Sequence, residues 1–227
     1  MELYQKFQVV QFLVILCACI IGTIKLRKTP SPERKYILTF CYIDLVVLGI
    51  GIFNYLIHEY PTYLFLLVYI YTCCEVFFLS YYISTIINKK VHFAIPLLLC
   101  ITSLIFSLAF FKSPTILPLL TTELYLTFFA FLYIRWLFTK RNFFILQQTR
   151  HYWIVMGIIL SYTASIPYWI GDVLIKSSGI WQLHIDVTLI LFIFYVIMNT
   201  LMFVSFIKAF LCKQQQHTSY FGVLEVH

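Results

Sequence analysis

The sequence predicts an all-α polytopic membrane protein, a single bundle of seven transmembrane helices with its N-terminus outside and its C-terminus in the cytoplasm. Three observations predict it. Apolar residues make up 62% of the 227 residues and charged residues only 11%, against roughly a half and a quarter in soluble domains. The apolar residues gather into seven runs, about 7–26, 36–58, 63–87, 91–111, 117–138, 152–175 and 183–211. Each is long enough to cross a hydrocarbon core of ~30 Å at about 1.5 Å per residue. The third observation is that the basic residues alternate between sides of the runs, as the positive-inside rule requires.

The first run begins MELYQKFQVVQFLVILCACIIG. It has no basic n-region and no clear cleavage site, so it is expected to stay as the first helix and not leave as a signal peptide. Pro30 and Pro32 then mark a loop, Pro61 the turn after the second run, and Pro114 and Pro118 the turn before the fifth. Pro96 lies in the first turns of the fourth run. Pro167 falls inside the sixth, where it removes one backbone hydrogen bond and is expected to kink the helix. One transmembrane domain therefore fills residues 1–212, and 213–227 form a polar tail.

Loop charge sets the expected orientation. Lys25, Arg27, Lys28, Arg34 and Lys35 follow the first run, Lys89 and Lys90 the third, Arg135, Lys140, Arg141 and Arg150 surround the loop after the fifth, and Lys208 and Lys213 end the seventh. Only Lys6, Lys112 and Lys176 fall on the other side. This places the first group in the cytoplasm. The net charge of +7 is thus a signature of topology and lipid headgroups, and nucleic acid is not an expected partner.

The third run, YLFLLVYIYTCCEVFFLSYYISTII, carries Glu75 at its centre. An acid there costs roughly 2.5–3.5 kcal/mol on insertion scales, so it needs a compensating role. Every Lys and Arg lies near a run end, so Glu75 is expected to hydrogen-bond to tyrosine, threonine, Asn199 or water. Two readings follow: a structural hydrogen bond between helices, or a proton- or cation-linked switch. Asp44, in the cytoplasmic half of the second run, carries the same pair of readings.

Helical spacing aligns further polar residues. Cys41, Asp44, Gly51, Tyr55 and His58 share a face of the second run, and Tyr71, Thr72, Glu75 and Tyr82 one of the third. Ser161, Ser165, Tyr168 and Asp172 share a face of the sixth, and Thr188, Tyr195 and Asn199 one of the seventh. The fifth adds Glu123 and Thr127; Ser103 and Ser107 in the fourth suit helix packing. Runs two, three, six and seven are expected to line the interior. Asn54, His58, Glu59, Glu123, Asp172, His184 and Asp186 gather toward the outer side with Tyr55, Tyr168, Trp169 and Trp181. They suggest an aromatic-walled acidic pocket for a cationic or polyhydroxylated small ligand; the competing reading is ordinary interfacial polarity with an aromatic belt. The candidate pocket residues are Asp44, Asn54, Tyr55, His58, Tyr71, Glu75, Tyr82, Glu123, Tyr168, Asp172, Asp186, Tyr195 and Asn199.

A faint internal echo accompanies these stripes. Arg34-Lys35-Tyr36 opens the second run and Arg150-His151-Tyr152 the sixth. Tyr71 and Glu75 match Tyr195 and Asn199, each pair followed by a lysine at Lys89 and Lys213. A three-plus-one-plus-three parallel repeat would produce this pattern, as would chance similarity between apolar helices.

Several chemistries have no signature. The seven cysteines show no CxxC or Cys/His ligand spacing, so neither a zinc site nor a disulfide framework is expected, and Cys73-Cys74 reads as packing. No Walker loop, G-x-S-x-G or H-E-x-x-H occurs. The seventh run has no central lysine for a retinal Schiff base, no PQ dipeptide marks a PQ-loop sugar transporter, and the usual microswitch motifs of G-protein-coupled receptors are missing. No enzyme activity and no cofactor are expected. In IYTCCEVFFLSYYI and YVIMNTLMFVSFIKAFLCK the chain resembles a group of small bacterial seven-span proteins of similar length without a soluble domain. That resemblance implies a bacterial inner membrane and no particular activity.

The expected function is receptor-like or sensory. A small ligand or ion would bind an outer or central polar pocket, and the short basic cytoplasmic loops would pass the change to a protein partner. A small-solute or proton-coupled transporter is the second reading and a structural subunit of a membrane complex the third. The orientation has a direct check. A cysteine placed at position 31 is expected to be protected from an impermeant thiol reagent in intact cells, and labelling there would overturn it.

Overall fold

The computed structural model describes residues 2–56, 63–87, 98, 101, 102, 105, 117–140, 150–178 and 181–212. Among these residues the chain is helical except at 29–31 and Cys212, with no strand. Six long helices carry it: α1 (Glu2–Lys28), α2 (Pro32–Leu56), α3 (Tyr63–Ile87), α4 (Leu117–Lys140), α5 (Arg150–Ser178) and α6 (Trp181–Leu211). They coincide with six of the seven expected runs. The fourth run falls almost wholly outside the described residues; Leu98, Ile101 and Ile105 within it are helical and exposed.

Among the described residues, four segments are long and apolar enough to cross a membrane: Lys6–Lys28, Pro32–Asn54, Arg150–Gly171 and Leu189–Leu211. The outward surface agrees with a hydrocarbon surrounding. Val46, Phe53, Phe128 and Ile190 are 58%, 62%, 63% and 65% exposed, large apolar side chains that water would not favour. The interior holds a mixture of aromatics and polar groups, so polarity is partly turned inside out.

Each helix packs against the next in chain order, and α6 returns to α1 with a lighter contact to α2. The six helices thus close a ring. Phe40 of α2 fills its middle, stacked on Phe203 at 6.2 Å, edge-on to Phe206 at 6.2 Å and tilted against Tyr71 at 6.3 Å. The ring therefore has a packed aromatic centre one helical turn from Asp44. The turn between α1 and α2 is built locally. Ser31 caps α2, its Oγ accepting the Arg34 N–H at 3.2 Å and its carbonyl the Lys35 N–H at 3.1 Å. Pro32 starts the helix with φ already set, and Glu33 complements the positive helix end.

Helices α5 and α6 share the most extensive contact among the described helices. A Cβ on Gly157 would lie 3.1 Å from the Met202 carbonyl oxygen and 3.1 Å from Ser205 Cβ, so backbone meets backbone there as in other small-residue membrane interfaces. Gly157→Ala is expected to cost about 1–3 kcal/mol by overpacking, read as a lower melting temperature in detergent. Gly51 has open space within 4 Å, and Gly51→Ala is expected to be neutral or to stabilise by up to about 1 kcal/mol. Equal melting of the two variants would show that the α5–α6 approach is not a constraint.

Candidate functional site

Glu75 is buried at 8% exposure in the middle of α3. Two tyrosines hold the same carboxylate oxygen. Tyr71, one turn earlier, donates to Oε1 at 3.1 Å, and the Tyr162 hydroxyl of α5 donates to Oε1 across the bundle. Tyr162 is itself buried at 3% exposure. An apolar helix can bury an acid only when such donors replace the lost water.

Two further carboxyls share this interior. Asp44 of α2, 8% exposed, lies beside the Tyr71 hydroxyl, which bridges toward both acids. Its Oδ2 is buried without a hydrogen-bond partner among the described residues. Glu123 of α4, also 8% exposed, accepts the Ser165 hydroxyl on Oε2 at 2.6 Å and the Trp169 indole N–H on Oε1 at 2.8 Å. Asp44 and Glu123 are both electrostatic neighbours of Glu75, and the Tyr195 hydroxyl of α6 feels all three. Five helices thus contribute to one cluster of three acids and three tyrosines. No lysine or arginine pairs with these acids among the described residues.

Pro167 shapes the α5 side. It sits inside the helix, exposed on its far face, and leaves the Thr163 carbonyl without its usual helical donor. In that loosened turn the Ser165 hydroxyl contacts Glu123 and also the Tyr162 carbonyl, at 2.9 Å. One turn further, Tyr168 stacks on Tyr195 at 5.2 Å with the rings 13° apart, and Trp169 lies 4.8 Å from Tyr168. This aromatic group borders the Glu123 end of the cluster.

Of the thirteen candidate residues, the structure brings together Asp44, Tyr71, Glu75, Glu123 and Tyr195, with Tyr168 at the edge. Three lie elsewhere. Tyr82 is fully buried two turns from Glu75 and pairs its hydroxyl with His151 Nδ1 at 2.8 Å, because successive turns of one face reach different depths. Asn54 donates to its own helix at the Ile50 carbonyl at 2.9 Å. Asn199 accepts the Ser161 hydroxyl at 2.6 Å and so ties α5 to α6; the partners of Glu75 are the tyrosines. His58 lies outside the described residues, as do the side chains of Tyr55, Asp172 and Asp186. Tyr162, Ser165 and Trp169 are site residues outside the thirteen; the sequence places Ser165 on the polar stripe and Trp169 among the outer aromatics, and only Tyr162 goes unmarked. The three recur three and seven positions along α5, a helical stripe adjacent to the Ser161/Ser165/Tyr168 stripe.

Among the described residues no group of three or more His, Cys, Asp or Glu side chains is arranged to hold a metal ion. The three acids are neighbours: Glu75 and Glu123 accept from their own donors, and Asp44 shares the Tyr71 hydroxyl with Glu75. No protein-family model, curated protein or solved structure matches this chain.

Tyr162→Phe removes the donor that crosses the bundle and is expected to cost about 1–3 kcal/mol. Tyr71→Phe removes the donor on the same helix, and the double variant is expected to be non-additive because both act on one oxygen. Thermal melting in detergent measures this, and additive losses would show that the two hydroxyls act separately.

Proposed function

We propose that this chain is a multi-pass membrane protein of receptor-like type, whose central acid–tyrosine cluster binds a proton or small cation. The carrying observation is the convergence of Asp44, Glu75 and Glu123 from three helices with no basic partner among the described residues. Uncompensated acids inside a membrane bundle are costly and characteristically functional. A cation bound near Asp44 Oδ2 would draw on the Tyr71 and Tyr162 hydroxyls and alter how α2, α3 and α5 sit against one another. Seven spans with the N-terminus outside, the parallel repeat, and a bacterial inner membrane belong to the same proposal. So does signalling through a partner at the basic cytoplasmic face, since the short loops leave little room for an effector.

A proton-coupled transporter is the second reading. The run of groups Asp44–Tyr71–Glu75–Tyr162 favours it, since it links three helices through shared hydroxyls.

Trp169 is a built-in reporter because its indole N–H is bonded to Glu123. In nanodiscs, tryptophan emission is expected to respond saturably to protons, Na+ or K+, and Trp169→Phe to remove the response. Glu75→Gln keeps the side-chain shape and is expected to abolish it while the protein still melts cooperatively. Unchanged titrations in Glu75→Gln would end the central-site reading. Dye-loaded liposomes then separate the two functions: sustained flux above protein-free vesicles identifies a transporter, and binding without flux a receptor.

A further inference from the structure

At one end of the bundle two arginines are buried beside one another. Arg34, in the first turn of α2, is 3% exposed, and Arg150, at the start of α5, is 8% exposed. They are electrostatic neighbours. Arg34 Nη1 donates to the Thr29 carbonyl at 2.7 Å and to the Thr29 hydroxyl, and Arg150 Nη1 donates to Ser31 Oγ at 3.3 Å. The Nε of each is buried without a partner among the described residues. Glu33 acts electrostatically on Arg34, yet it makes no ion pair with either arginine among the described residues. Around them stand the Tyr82–His151 pair, and Lys208 and Cys212 at the end of α6.

Two like charges enclosed together, each with an idle donor, are unfavourable unless an anion joins them. The free edge of a guanidinium, Nε with its neighbouring Nη2, is the edge that grips an oxyanion bidentately. Ser31, which caps α2, also receives Arg150, so the N-terminus of α2 and both arginines converge, and helix N-termini favour anions. Thr29, which accepts from Arg34, is itself exposed, as is Pro30, so the arginine pair borders exposed chain. The two arginines are also the opening residues of the echoed segments Arg-Lys-Tyr and Arg-His-Tyr. The ring closure brings these together although they are 116 positions apart. Positive-inside topology explains basic residues at this end of the helices, but exposed lysines satisfy that rule; it gives no reason to bury two arginines side by side.

We infer that Arg34 and Arg150 form a binding site for a phosphate group, presented by an anionic lipid headgroup of the surrounding leaflet or by a soluble phosphate-bearing ligand. The site is separate from the acid cluster and stands whether or not that cluster binds a cation.

The test uses the full chain in nanodiscs of phosphatidylcholine alone. Inorganic phosphate is titrated in, and in parallel phosphatidylglycerol is added to the disc. Saturable thermal stabilisation by inorganic phosphate identifies a soluble ligand; stabilisation by phosphatidylglycerol alone identifies a lipid. In either arm Arg34→Gln and Arg150→Gln are expected to weaken the response about ten- to a hundredfold, as loss of a charge-assisted pair would. Arg150→Lys, which keeps charge and loses the fork, is expected to lie between them and wild type. Arg150→Gln is also expected to melt above wild type in phosphatidylcholine discs without inorganic phosphate or phosphatidylglycerol and below it when either is added, a reversal that a purely structural arginine would not show. If a glutamine variant does not fold, Arg150→Lys and native mass spectrometry of wild type for retained phospholipid decide the matter. Absence of stabilisation by either probe, or an equal response in wild type and the arginine variants, overturns the proposal.

Discussion

The hydrogen bonds that converge on Glu75 are the constraint on which the rest of this bundle depends. A carboxyl at the middle of an apolar helix loses its water, and only polar groups from the protein can replace it. Tyr71 supplies one donor from the same helix, but Tyr162 must come from α5. Meeting that requirement fixes α3 against α5 across the ring. It draws in α4 through Ser165, which serves both Glu123 and the Tyr162 turn. Interior polar groups thus specify the arrangement, since helix association in lipid receives little hydrophobic drive.

Packing completes what the polar groups begin. Phe40 touches α3 and α6 from α2 and fills the centre that a ring of helices would otherwise leave open. Gly157 lets α5 and α6 approach at backbone distance, and Gly22 similarly yields to Leu38 and Phe210 where α1, α2 and α6 meet. Dispersion contacts of this kind scale with closeness, so small residues and flat rings do the work that apolar burial does in a soluble protein.

The molecule separates two electrostatic regions. Among the described residues, acids with no basic partner occupy the interior of the bundle, and arginines with no ion-paired acid occupy one end, even though pairing them would satisfy both. The distance along the helices prevents it: Asp44 lies ten residues beyond Arg34 on α2, about 15 Å at helical rise.

Composition and periodicity alone determined the helical class, the boundaries of six helices to within five residues, and the inward face of α3, because apolar runs and helical spacing are local properties. They also made Asp44, Glu75 and Glu123 conspicuous, since an acid in an apolar run is visible without neighbours. The partners of those acids were decided only by the tertiary structure. Tyr162 is one of 17 tyrosines and acquires its role through the rotation of α5 about its axis. Tyr82, on the right face of α3, goes to His151 because the bundle is deeper than one layer of contacts. The meeting of Arg34 with Arg150 likewise depends on ring closure, which no local pattern contains: residues far apart in the chain become neighbours only when α5 and α6 return to α1 and α2.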